Sequence, residues 1–309
     1  MSLYFPIAEI AFNIYLIVAL GALVGLLSGM FGVGGGFLVT PLLMFLGVPA
    51  PVAVATGANL ITASSVSGAL AHARRGGIDI KMGWILTVGG GIGAFVGAWL
   101  FGLLKSLGQL DVVIALTYAL LLGTVGVLML AESLRALIRR HRQGADTPLR
   151  PRRRRHVGLR YALPFKMRFR ASKLYISALL PLAVGFVVGV LAAVMGVGGG
   201  FLMIPAMIYI IGMPAAVVVG TSLFQIVFVT AFATLLHAAE TQSVDILLSA
   251  ALVVGAVAGA QYGARLASRV AGVEFRVLLA LMVLLVAMRM AWSLFVAPAA
   301  LYRIEWGLP

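Results

Sequence analysis

The chain has 309 residues, of which 62% are apolar and only 10% charged, and its mean hydropathy is +1.11. Soluble domains run at about 45–50% apolar and about 25% charged, so this composition excludes a soluble enzyme, a disordered chain and a nucleic-acid-binding module. It leaves an all-α polytopic membrane protein, and most of its net charge of +14 (23 Lys and Arg against 9 Asp and Glu) falls in one segment.

From the front, no Lys or Arg appears before Arg74, and Glu9 stands near the start. A secretory signal needs a basic beginning, so the first apolar stretch is expected to be a retained span whose front lies outside the cytoplasm. Apolar segments follow at 10–30, 37–48, 52–72, 83–104 and 112–134, and again at 174–194, 201–212, 215–238, 246–268 and 275–297. A bilayer core of about 30 Å takes about 20 helical residues, and only 37–48 and 201–212 are too short for that. Between the two series, residues 138–173 hold 13 of the basic residues against one acid, Asp146, a net of +12. Flanked by apolar spans, this segment reads as a cytoplasmic loop that fixes orientation and meets anionic lipid. The division is therefore 1–137, a first transmembrane repeat; 138–173, the basic loop; and 174–309, a second repeat.

The two series match residue by residue. Gly32-Val33-Gly34-Gly35-Gly36-Phe37-Leu38 recurs as Gly196-Val197-Gly198-Gly199-Gly200-Phe201-Leu202, and Pro41 as Pro205. With one inserted residue Pro49, Thr56 and His72 match Pro214, Thr221 and His237; with one more, Asp79, Gly89, Gly93 and Gly97 match Asp245, Gly255, Gly259 and Gly263. A match over this length marks an internal duplication. If each short segment crosses through a broken helix, each repeat has five crossings, an odd number, and the repeats are inverted. Ten crossings put both chain ends outside and most bases inside, as the positive-inside rule asks. The competing count makes the short segments re-entrant, giving eight spans and parallel repeats, and it leaves Arg265 and Arg269 outside.

The glycine runs precede the short segments. A helix start leaves unpaired N–H groups and partial positive charge, and glycine lets a ligand approach that backbone. Gly34, Gly35 and Gly36 with Gly198, Gly199 and Gly200 are thus expected to form an anion site without any lysine; the alternative is that they only permit close helix crossing. Close crossing is the expected use of the spaced glycines 89, 93 and 97 and of their partners. A dinucleotide fingerprint fails, because Phe37 stands at its third glycine position, and no Gly-Lys-Ser/Thr of a P-loop follows.

Polar residues cluster in the third and eighth segments: Thr56, Asn59, Thr62, Ser64, Ser65 and Ser67 in one, Thr221, Ser222, Gln225 and Thr230 in the other. Thr56 with Asn59, and Thr221 and Ser222 with Gln225, are candidate substrate donors, against the alternative that they bind helices together. His72 and His237 close their helices at matched positions and are candidates for proton coupling or interfacial caps. Asp79 and Asp245 read as N-terminal caps. Arg289 can attract an anion or reach for headgroups. With no cysteine, no carboxylate at mid-span and no nucleophile beside a base, neither a catalytic centre, a metal site nor a cofactor is expected.

These residues resemble the TauE/SafE family of sulfite and organosulfonate exporters. The likeness covers about 15–104 and 180–270. It rests on Gly29-Met30-Phe31-Gly32-Val33-Gly34-Gly35-Gly36 with Pro41, the partner run ending at Pro205, the Thr56 and Thr221 segments, the loops reaching Asp79 and Asp245, and the glycine ladders. The resemblance implies a secondary transporter in the bacterial inner membrane that exports sulfite or a short organosulfonate such as sulfoacetate. A passive anion channel and a membrane enzyme at the lipid interface are the rivals. The expected partners are a small anion, membrane lipid and a second copy as homodimer, with no nucleic acid.

Overall fold

The computed structural model describes residues 2–8, 10–31, 35–74, 76–143, 164–270 and 273–295. In chain order it contains a hairpin of β1 (Ser2–Phe5) and β2 (Ile10–Asn13), then α1 (Ile14–Phe31), α2 (Gly36–Phe45), α3 (Ala50–Ala73), α4 (Ile80–Ser106) and α5 (Leu110–Gln143). A second hairpin, β3 (Lys166–Phe169) with β4 (Leu174–Ser177), opens the next series: α6 (Leu179–Met195), α7 (Gly200–Pro205) continuing as a π-helical turn (Ala206–Ile211), α8 (Ala215–Glu240), α9 (Ile246–Val270) and α10 (Val273–Phe295). Among the described residues five helices, in α3, α4, α5, α8 and α9, are long and apolar enough to cross a bilayer. The molecule is an all-α polytopic membrane protein.

Two expectations about extent change. The segments at 10–30 and 174–194 begin as strands, so α1 and α6 are 18 and 17 residues long. The ends of the basic segment are ordered too: α5 runs on to Gln143, and β3 and β4 pair antiparallel from Lys166↔Ser177 to Phe169↔Leu174. Residues 144–163, with the Arg152–Arg155 run, lie outside the described residues.

The chain forms two compact units, residues 1–110 with 147–271, and 111–146 with 272–309. The second unit holds α5 and α10, where a Cβ at Gly126 would come within 2.9 Å of Leu284. The first unit takes α1–α4 and α6–α9, and its packing is set by the glycine ladders.

On α4, a Cβ at Gly89 would strike the Leu182 carbonyl, at Gly93 the Phe186 carbonyl, and at Gly97 the Val190 carbonyl, 2.6 Å away. From the other side, one at Gly185 would lie 2.5 Å from the Leu86 carbonyl. Positions 86–97 and 182–193 rise together, so α4 and α6 run parallel with backbones in near contact. Gly255, Gly259 and Gly263 of α9 meet Val18, Ala22 and Leu26 of α1 in the same way. Small residues at spacing four let backbones approach where lipid offers no hydrophobic drive for association. The opposite face of α4 shows the complement: Trp84, Val88, Ile92, Phe95 and Trp99 are 49–63% exposed, as suits a helix bathed in hydrocarbon.

α3 and α8 cross in opposite directions, Thr62 meeting Thr230 and Gly77 meeting Gly220. Asp79 and Asp245 cap α4 and α9 as the sequence predicts: Asp79 Oδ1 accepts the Met82 amide, and Asp245 Oδ1 accepts those of Leu247 and Leu248. Each carboxylate also holds a hairpin turn. Asp245 Oδ2 accepts the amides of Ile7 (3.1 Å) and Ala8 (3.2 Å), and Asp79 Oδ2 accepts the Ser172 amide (2.9 Å) and hydroxyl (2.6 Å). A buried carboxylate needs such donors. Inward from the second hairpin, Phe169 and Ile176 enter a core with Met82, Val188, Met203 and Val218.

Candidate functional site

Gly35 and Gly199 stand immediately before α2 and α7 with nearly the same backbone: φ 70°, ψ −10° and φ 72°, ψ −11°. A residue in this left-handed region ends the incoming chain and turns it into a helix; for a side-chain-bearing residue the conformation is strained. Gly36 and Gly200 are then the first helical residues. Gly32, Val33 and Gly34 lie outside the described residues.

The two runs converge. A Cβ at Gly198 would lie 2.6 Å from Ile61 Cγ2, and one at Gly36 would strike Ile61 Cδ1 and the Val197 carbonyl. Ile61 is at the middle of the 24-residue α3, so both helix starts lie near mid-span. Directly after the glycines, Phe37 and Phe201 stack with centroids 4.8 Å apart and an interplanar angle of 23°. The hydroxyls of Thr62 and Thr230 bridge α3 and α8 at 2.8 Å beside Gly198, and Thr40 Oγ1 reaches the Gly196 carbonyl at 3.4 Å. Two positive helix ends therefore meet among hydroxyls, with no lysine or arginine from α3, α7 or α8 in this unit's centre.

The remaining candidates divide. Gln225 is fully buried, neither its Oε1 nor its Nε2 has a partner, and a Cβ at Gly90 of α4 would stand 2.9 Å from Nε2. Thr56 is also fully buried with an unpartnered hydroxyl, as is Ser65. Thr221 is committed elsewhere: its hydroxyl donates to the Val217 carbonyl (2.6 Å) and accepts the Asp79 amide (2.9 Å). Ser222 Oγ donates to the Val219 carbonyl. Asn59 turns to α9, where its Nδ2 donates to Ser249 Oγ at 2.6 Å. The two amides thus face different helices, Asn59 toward α9 and Gln225 toward α4, rather than each other.

His72 and His237 lie in the last turns of α3 and α8. His237 is buried, with Nε2 2.9 Å from the Ala193 carbonyl, its ring edge-on to Phe101 and Nδ1 unpartnered. Arg289 is exposed on α10, in the second unit. Among the described residues no cluster of three or more His, Cys, Asp or Glu could hold a metal. A crevice of about 410 Å³ opens between α4 and α8, lined by Thr87, Gly91, Ile92, Phe95, Phe228, Val229 and Phe232; its walls are apolar and suit hydrocarbon rather than an anion.

Sequence reasoning missed Thr40, Ile61 and the Phe37–Phe201 pair. The matched phenylalanines were visible as part of the repeated run; their stacking depends on how the halves meet.

The family profile described as sulfite exporter TauE/SafE matches residues 17–290. The chain is 29% identical over 263 residues to the probable membrane transporter protein YunE of Bacillus subtilis, covering 81% of this chain and 86% of that protein. A probable membrane transporter protein of Xylella fastidiosa is 31% identical over 251 residues, covering 81% and 83%. YjnA of Bacillus subtilis, also a probable membrane transporter protein, is 29% identical and covers 82% and 90%. No solved structure matches the chain. A profile match across nearly the whole helical region, with relatives aligned over most of their length, means that this membrane protein belongs to the sulfite exporter TauE/SafE family of transporters.

Proposed function

We propose that the protein is a secondary transporter that exports a small sulfur-containing anion, sulfite or a short organosulfonate, across the bacterial inner membrane by alternating access. The observation that carries this reading is the meeting of two glycine-led helix starts at mid-span, against Ile61, without a fixed positive charge. Helix ends supply partial charge, enough to receive an anion and weak enough to release it. Transport of a panel of labelled anions by proteoliposomes tests it: saturable counterflow of sulfite or a sulfonate is expected. Unsaturable flux without counterflow would favour a channel instead.

Inverted repeats support alternating access. The matched helices α3 and α8 run antiparallel, as inversion requires, whereas parallel repeats would align them. Charge supports the orientation. On the Asp79 face Arg74, Lys81, Lys166, Arg168, Arg170 and Lys173 are all exposed, whereas the hairpin on the Asp245 face holds no Lys or Arg. The Asp79 face is then cytoplasmic, where its basic hairpin and the loop meet anionic lipid. A single cysteine at Ser2, in this cysteine-free chain, should react with an impermeant maleimide in intact cells. Reaction only in inside-out vesicles would overturn the orientation.

A further inference from the structure

Matched positions 56 and 221 are used differently in two faces that otherwise correspond. On the Asp79 face, the Thr221 hydroxyl accepts the Asp79 amide at 2.9 Å and so ties α8 to the start of α4. Through its carboxylate Asp79 also carries the turn of the β3–β4 hairpin at Ser172. On the Asp245 face the corresponding carboxylate holds the β1–β2 hairpin at Ile7 and Ala8. There the Thr56 hydroxyl, fully buried, has no hydrogen-bond partner, so the tie matching Thr221–Asp79 is not made. Most buried polar groups are paired, and an unmet one marks either a cost borne in every state or a bond made in another.

We propose that this threonine–aspartate tie is exchanged between the two faces during the transport cycle. In the state described here Thr221 holds the Asp79 face closed and Thr56 is released; in the opposite state Thr56 accepts the Asp245 amide and Thr221 lets go. The inference rests on the alternating-access reading above. It follows from the chemistry of an inverted pair: the same side chain meets the same partner type at both faces, so making one bond offsets breaking the other, and two states of similar energy result. Because each aspartate also holds a hairpin, a tie made or broken reaches the surface of its face. Thr56 and Thr221 are positioning residues here, acting through helix starts rather than on the anion.

The test places one reporter cysteine on each face and reads its reaction with an impermeant maleimide in vesicles of both orientations. Ile78→Cys reports the Asp79 face and Val244→Cys the matched position on the other; both side chains are half-buried here, so each can gain or lose exposure. Thr→Val removes the hydroxyl and keeps the shape. Loss of one hydrogen bond of about 1 kcal/mol shifts a two-state ratio about five-fold. Thr221→Val should therefore raise modification at position 78 and lower it at 244, and Thr56→Val should do the reverse. Thr→Ser at either site should restore the original ratio, which a purely structural role would not predict. If Thr221→Val does not fold, Thr56→Val decides alone, since its hydroxyl has no partner to lose in this state. Modification changing in the same direction on both faces, or not at all, overturns the exchange. Modification at both positions at the full rate of a free thiol, with Thr56 and Thr221 intact, would instead overturn alternating access itself.

Discussion

Gly35→Val and Gly199→Val are expected to abolish anion binding in protein that still elutes as a single folded species. Both positions have φ near +70°, and a β-branched residue there is a conformational outlier. The new Cβ at position 35 would also lie 2.8 Å from Val24 Cγ1 and 2.9 Å from the Val24 carbonyl, and at 199 it would collide with Val188 Cγ1. Left-handed backbone costs an ordinary residue roughly 1–2 kcal/mol, and overpacking adds about 1–3 kcal/mol. The least expensive relief is rotation of the turn, which re-aims the first amides of α2 or α7. Those amides are the proposed anion donors, so a small shift there removes binding long before it unfolds a helix bundle. Gly→Ala at the same positions keeps the φ strain and the Cβ contacts but lacks the γ-methyls, so a smaller, graded loss of at least ten-fold is expected. Calorimetry with sulfite, beside elution profile and thermal melting, measures it. Normal binding by both well-folded valine variants would make the glycines packing residues only.

The parts of this architecture legible in the sequence are those set by local physics. The helix starts after the glycine runs were legible because three consecutive glycines have few other uses, and the caps because Asp79 and Asp245 stand just before apolar periodic runs; the left-handed backbone of Gly35 and Gly199 came only with the structure. The ladders at 89, 93 and 97 were legible because small residues every fourth position make a face. The hairpins were not. Ser2–Phe5 and Ile10–Asn13 are four-residue strands whose apolar composition merges with the span that follows, and what fixes them is a carboxylate over two hundred residues away. The same holds for the polar candidates. Thr56 and Thr221 are indistinguishable by composition and spacing, and only the tertiary structure shows one hydroxyl bonded to Asp79 and the other alone. Asn59 and Gln225 looked like one pair of donors, yet the position matching Asn59 is Phe224, so their side chains serve different interfaces. The π-helical turn at Ala206–Ile211 has no counterpart after Pro41, although the prolines match.

Gln225→Met is expected to make the protein more stable and to stop it transporting. Both polar atoms of Gln225 are buried without a partner. Stranding such a group costs about 1–3 kcal/mol, and the hydrocarbon level of a bilayer supplies no water to relieve it. Methionine has nearly the same length and shape and no hydrogen-bonding demand, so it should fit beside Gly90 with little repacking. The midpoint of thermal unfolding in detergent should rise accordingly. A protein that keeps an amide where a thioether would be more stable is trading stability for use, and the use available to an amide donor in this bundle is an incoming oxyanion. Transport in proteoliposomes should fall at least ten-fold, with the affinity for sulfite weakened by about the same 1–3 kcal/mol. Gln225→Glu separates the two terms, because it keeps the size and an acceptor but places a carboxylate against the anion; it should lose transport without any gain in stability. A stabilised Gln225→Met protein that transports at the unsubstituted rate would remove Gln225 from the anion path.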